Sequence, residues 1–192
     1  MHLSQISKEE IIPIPNTPYL LTPYLSTDRH AMVNAFADPD VYANASRIPI
    51  PYTLADADEF LNNICKSSDQ FCFALRHDKD YIGSVSIKKI IPDEAKEHEV
   101  EEGSWEVGYA LAKEWRGKGL MVPVVRTLVE EVAFKRAGLK KIYGFARVGN
   151  WASRRIMEKV GFEFLGEIEH DVSKVNQPGV MIRVWKFIRH ND

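Results

Sequence analysis

A chain of 192 residues, 45% hydrophobic and 27% charged, is long enough for one domain with its own core and needs no disulfide or metal staple. The formal charge of -2, with no block of lysine and arginine, argues against a nucleic-acid partner, and no apolar run approaches the ~18 residues that span a bilayer. Two cysteines, Cys65 and Cys72, and a start MHLSQISKEE without an apolar stretch fit reduced thiols in a cytoplasmic protein.

Residues 1–18, with three prolines in IIPIPNTP, read as an extended lead-in, and the domain proper is expected over 19–190. YLLTPYL (19–25) is a first strand with an edge proline at Pro23. Thr27 and Asp28 open a short helix whose apolar face is Ala31, Met32, Ala35 and Phe36. Pro39, Pro49 and Pro51 punctuate a long loop, after which Thr53 and Asp56 form a capping box for a second helix to about Ser67. From there the period is two: QFCFALR (70–76) and YIGSVSIKKI (81–90), joined by HDKD, make a hairpin. PDEAKEHEVEEG (92–103) is an acidic loop insertion, and WEVGYAL (105–111) is the next strand. A helix runs from about Leu120 to Arg136, with Pro123 in its first turn and Gly138 as its stop. IYGFARV (142–148) is a strand, about Ala152 to Val160 a helix, and FEFLGEIEHDV with VMIRVWKFI a closing hairpin. Strands with helices interleaved only in part predict a single-domain α+β (α/β) fold: a mixed, mostly antiparallel sheet with helices on both faces.

The chemistry concentrates in WEVGYALAKEWRGKGLMVPVVRTLVEEVAF (105–134), where a strand turns through Arg116-Gly117-Lys118-Gly119-Leu120 into a long helix. Glycine lets backbone approach a ligand with no Cβ in the way. The first helix amides have no internal acceptor, and the positive end of the helix adds to them. Arg116 and Lys118 bring cationic charge to the rim. An anion is expected there, and a diphosphate fits the length of the turn. The G-x-G-x-x-G and G-x-x-x-x-G-K-[ST] fingerprints are absent. Taken alone, a Gly-Lys-Gly turn equally suits a basic turn ahead of a buried helix.

The turn is not alone. Arg116-Gly-Lys-Gly119-Leu-Met121 is similar to the R/Q-x-x-G-x-G/A loop of the GNAT acetyltransferases, with Met121 where glycine or alanine is usual. Asn150-Trp-Ala-Ser153-Arg-Arg-Ile-Met-Glu158-Lys159-Val-Gly161-Phe162 resembles the family's second signature, N-x-x-S/A-x-x-x-x-E-K-x-G-F. The likeness covers roughly residues 19 to 188, is densest over 105–165, and points to the ribosomal-protein N-acetyltransferase (RimJ/RimL-like) branch. It implies the acyl-CoA N-acyltransferase fold, acetyl-CoA as co-substrate, no metal, and a primary amine as acceptor. That amine is a peptide or protein N-terminus, or a small amine such as an antibiotic. A module that binds acyl-CoA without turnover is the alternative, and a homodimer is left open.

Carried onto this chain, the resemblance implies that Arg116, Gly117, Lys118, Gly119, Leu120 and Met121 cradle the coenzyme A diphosphate. Tyr109 and Leu111, at the end of their strand, would pair with the pantetheine arm where a bulge splays two strands, and Asn150 would hold its amide. Arg154 and Arg155 reach the 3′-phosphate or are solvated surface charge. The amine attacks as the free base, and at pH 7 a lysine amine is about 0.04% free against roughly 15% for an α-amine. Glu106 is the base candidate, with an ordinary strand carboxylate as its other reading. The tyrosine that many relatives use to protonate the leaving thiolate falls here on Met157, so Ser153 becomes the acid candidate, or else a helix-start residue bonded to local backbone.

Overall fold

Alternating buried and exposed side chains organise the chain around one eight-stranded sheet. The computed structural model describes residues 10–44, 48–171 and 181–191. Its strands are β1 (Ile12–Pro13), β2 (Tyr19–Thr22), β3 (Gln70–His77), β4 (Asp80–Lys89), β5 (Trp105–Leu111), β6 (Lys141–Arg147), β7 (Glu163–Asp171) and β8 (Met181–His190). They lie in the order β1-β2-β3-β4-β5-β6-β8-β7, antiparallel throughout except for β5 and β6. The helices are α1 (Arg29–Phe36), α2 (Pro39–Asn44), α3 (Leu54–Asn62), α4 (Pro92–Glu97), α5 (Met121–Thr127) and α6 (Trp151–Val160). The tip of the closing hairpin, 172–180, lies outside the described residues.

Both faces of the sheet are covered, as expected. On one face Phe73, Val85, Ile87, Trp105, Val107 and Phe187 form a single core with Val124, Val125 and Leu128 of the α5 limb and Met157 and Val160 of α6. On the other, Ala110 of β5 packs against α1 and α3 through Met32, Phe36 and Ala57. Farther along that face, Tyr143 of β6 and Ile188 of β8 pack against Ala95 of α4.

Local chemistry explains most of the element ends. The Thr53 hydroxyl accepts from Asp56 N–H at 3.3 Å and the Asp56 carboxylate accepts from Thr53 N–H at 2.8 Å, the capping box read from the sequence. α6 ends in a Schellman turn, with Phe162 N–H on the Met157 carbonyl and Gly161 at φ 93. α5 carries Pro123 in its first turn and then continues over Leu128–Arg136 as a π-helix, in whose spacing Ala137 N–H reaches the Val132 carbonyl.

Three expectations change. The stretch after Pro39 is not all loop, because Pro39 and Asp38 start α2: proline suits a first helical position, and Asp38 Oδ1 accepts from Asp40 N–H at 2.8 Å. In the same way Pro92 starts α4 inside the acidic insertion. That insertion is docked rather than free, with Ala95 buried, the His98 ring tilted against Phe145 at 4.2 Å between centroids, and Lys141 paired to Glu101. Finally, the lead-in adds β1 to the sheet edge and sends Ile12 and Ile14 into the main core.

Two glycines mark tight approaches and give contrasting predictions. A Cβ on Gly83 would stand 2.5 Å from the Ala110 carbonyl oxygen, whereas one on Gly144 would crowd the flexible end of Met157, at 2.6 Å, and make ordinary contact with Phe162 at 3.6 Å. Gly83→Ala should therefore cost about 1–3 kcal/mol and Gly144→Ala below about 1.5 kcal/mol. Urea unfolding of the two variants checks the order.

Candidate active site

β5 and β6 are paired only at Glu106↔Tyr143 and Val107↔Gly144. Beyond that point β5 stays with β4 as far as Gly83↔Leu111, and β6 stays with β8 as far as Arg147↔Val184. Gly108 to Leu111 therefore face a gap with no strand partner on that side, an edge that an extended amide chain can extend, although the Leu111 carbonyl already accepts from Arg116. The β4–β5 register runs unbroken. The bulge implied by the resemblance is thus absent from this ladder, and the gap opens because each strand follows its outer neighbour.

At the end of β5 comes the glycine turn. Gly117 and Gly119 have φ of 75 and 74, and a Cβ at either would meet nothing within 4 Å. Among the described residues no hydrogen bond engages the amides of Gly117, Lys118, Gly119, Leu120 or Met121, and no side chain caps α5. Free amides at an uncapped helix start, open to approach, suit an anion. Lys118 is exposed at the rim, its Nζ 4.9 Å from the Trp115 ring. The side chains of Leu120 and Met121 turn into the core, so these two residues offer backbone only.

Arg116 is more tightly held than a mobile rim charge. Its Nε donates to the Leu111 carbonyl at 2.9 Å, while Nη1 lies 3.2 Å from Asp38 and 3.4 Å from Asp40. Its Nη2 is buried and has no partner.

The second signature sits across the gap. Asn150 caps α6, its Oδ1 accepting from Ser153 N–H at 3.1 Å, which occupies that oxygen with helix duty. The Ser153 carbonyl accepts a long 3.4 Å bond from the Tyr109 hydroxyl, and the Ser153 side chain also lies against that phenol. Burial pushes that phenol up to about 12, so Tyr109 stays an uncharged donor. Met157 is 1% exposed, with its thioether against Gly144. Arg154 is paired to Glu158 at 2.8 Å and lies over the rings of Trp185 and Phe164, which keeps it on the α6 surface.

Glu106 stands at the root of the gap, in the first of the two β5–β6 pairs, and forms an ion pair with Lys88 at 2.9 Å. It points to the face opposite Tyr109, since neighbouring strand residues alternate. On that face Tyr81 and Ser84 share a 2.6 Å hydrogen bond beside Tyr24. Burial raises both phenols further above their usual range, Tyr24 included, so each can only donate or accept as a neutral hydroxyl. Sequence reading missed this hydroxyl group, along with Asp38, Asp40 and Arg147. For Asp38 a signal existed: an aspartate before a proline is a helix-start pair.

Among the described residues no group of three His, Cys, Asp or Glu could hold a metal, and no helix is long and apolar enough to cross a membrane. The profile of the Acetyltransferase (GNAT) domain family matches residues 19–163. YdaF of Bacillus subtilis (strain 168), named as a candidate ribosomal N-acetyltransferase, is 40% identical over 57 residues, which span 30% of this chain and 31% of that protein. Among solved structures, the RimL ribosomal L7/L12 alpha-N-protein acetyltransferase in complex with coenzyme A superposes with a TM-score of 0.71 at 15% identity, over 95% of this chain and 99% of the other. Spermidine N-acetyltransferase from Vibrio cholerae, with coenzyme A and spermine, gives 0.72 at 19% identity over 91% and 96%. At such identities the structural likeness speaks for the fold.

Proposed function

Because the chain belongs to the GNAT acetyltransferase family, whose domain profile covers residues 19–163, we propose that it moves an acetyl group from acetyl-coenzyme A to a primary amine. The observation that carries this reading is the run of unengaged amides from Gly117 to Met121 at the uncapped start of α5. Their donors, with the open space over Gly117 and Gly119, fit the diphosphate, and the unpaired edge of β5 fits the amide-bearing arm. Bound there, acetyl-coenzyme A supplies an electrophilic thioester carbonyl and a thiolate leaving group.

The residues of the chain then have separable tasks. A β5 amide beside Tyr109 polarises the carbonyl, the Ser153 hydroxyl donates toward the sulfur, and Glu106 takes the proton of the incoming amine, through water where needed. The transfer is direct, with both reactants held in the gap at once, so that positioning supplies much of the rate. An α-amine of a peptide or protein suits this site best, because roughly 15% of it is already free base at pH 7. Small amines are the alternative acceptors. The non-catalytic reading draws on Met157, buried where a proton-donating tyrosine is usual.

Thiol release from acetyl-coenzyme A with N-terminal peptides, polyamines and aminoglycosides tests turnover and acceptor class together. Tight binding of acetyl-coenzyme A with no acceptor raising thiol release above hydrolysis would favour the non-catalytic module. Ser153→Ala should lower kcat about 100-fold, as loss of a general acid does, with acetyl-coenzyme A affinity changed less than about threefold. An unaltered kcat removes Ser153 from the reaction.

A further inference from the structure

Helix α2 is fastened at both ends to the two lips of the gap. At its start, Asp38 Oδ1 caps it through Asp40 N–H, while Asp38 Oδ2 meets Arg116, which follows β5. At its far end Arg147, the last residue of β6, donates from Nη1 to the Ala43 carbonyl at 2.8 Å. Between these ties Val41 seats the helix in the small core that includes Phe36, Tyr52 and Ala110 of β5. So six residues of helix reach from one diverging strand to the other.

A second observation lies at the Arg116 tie. The Asp38 side chain is 9% exposed, and its Oδ2 has an ion pair with Arg116 but no hydrogen bond, while Arg116 Nη2 is buried and wholly unpartnered. A buried donor left without an acceptor is costly, and a guanidinium fixed on one side by a carboxylate presents its remaining edge to a second anion. Arg116 itself directly precedes the free amides of Gly117 to Met121 in the chain.

We propose that α2 is a strap across the gap and that Asp38 is the positioning residue that aims Arg116 at the cofactor diphosphate, so that binding of coenzyme A tightens the strap. The inference rests on the acetyl-coenzyme A reading above. An anion that accepts from the guanidinium while Nη1 stays on Asp38 holds Arg116 in the orientation that ties down α2. Linkage makes the effect mutual: whatever orders α2 also strengthens cofactor binding.

The test is hydrogen–deuterium exchange of the full chain with and without coenzyme A, at a saturation set by calorimetric titration. Exchange in the peptide covering residues 39–44 should slow about tenfold on binding, within the ordinary range of coupling between sites. Asp38→Asn keeps an equally good helix cap and removes only the charge. It should abolish that protection and weaken coenzyme A about fivefold, again a coupling of ordinary size. A purely capping role would leave both the protection and the affinity of this variant as in the parent. Arg147→Ala should speed exchange in α2 in both states yet retain the slowing on binding. If coenzyme A binds and exchange in α2 is unchanged or faster, the strap is wrong while the transferase reading stands. If no binding heat appears, both fall.

Discussion

Gly119→Val is expected to weaken coenzyme A by one to two orders of magnitude while leaving the chain folded. Gly119 sits at φ 74, a backbone pose that costs a residue with a Cβ about 1–2 kcal/mol and a β-branched one more. No atom lies within 4 Å of a Cβ built there, so the substitution creates no clash with the rest of the protein. The turn is exposed and relieves the strain by moving, and the amides then lose their common aim. A hydrogen bond to a charged group is worth about 1.5–3 kcal/mol, so losing a single amide–phosphate bond lowers affinity by about 10- to 150-fold. Calorimetry measures the loss, and a melting curve shows that the fold is kept. Affinity within a factor of about two of the parent would mean that the turn does not bind the diphosphate, a difference too small for even one such bond.

Arg76→Met should be the most destabilising single change. Arg76 and Asp28 form an ion pair at 2.6 Å with side chains only 6% and 5% exposed. The guanidinium also donates from Nε to the Thr22 hydroxyl at 2.8 Å and from Nη1 to the Lys79 carbonyl at 3.3 Å. It thereby links β2, the β3–β4 turn and the start of α1. A shift of register between β3 and β4 falls at Leu75/Arg76, where a bulge turns a strand side chain away from simple alternation. Removing the cation leaves a buried carboxylate with, among the described residues, the Leu25 N–H as its hydrogen-bond donor, and such losses cost about 3–5 kcal/mol. That is a large share of the ~5–15 kcal/mol that holds a domain together. Arg29→Met breaks a pair whose side chains are 41% and 44% exposed, and should cost below about 1 kcal/mol. Urea midpoints compare the two directly, and equal shifts would refute the burial argument. Adding Asp28→Leu to Arg76→Met should recover part of the stability, since the stranded charge is then gone.

What could be read from the sequence was what is local. Period-two runs found seven strands, Thr53 with Asp56 found a cap, and Gly117-Lys118-Gly119 marked the turn ahead of an uncapped helix start. The errors have two causes. Pro39 read as loop punctuation and 92–103 as a loop for its acidity, although a proline at a first helical position starts a helix in each. β1 is two residues long and holds Pro13, too little for any periodicity to register. The site divides the same way. Nothing in WEVGYAL tells that pairing with β6 stops after Val107, because that depends on where two outer neighbours pull. Nor could the partners of Arg116 be foreseen, since Asp38 and Asp40 come from the far face of the sheet and reach it only through the tertiary fold.

The two rims of the sheet are both poor templates. On one side β1 offers two residues, one of them Pro13 with no N–H to give. On the other, the β7–β8 register slips between Phe164 and Gly166, and the odd residue, Leu165, interrupts what would otherwise be a straight row of donors and acceptors. Short, proline-bearing or kinked borders are how β proteins keep neighbouring molecules from stacking onto them. Among the described residues, the stretch of β5 from Gly108 to Leu111 is a longer strand edge that lacks a partner where β6 diverges from it. The architecture thus leaves its two rims ill-suited to strand addition by other proteins.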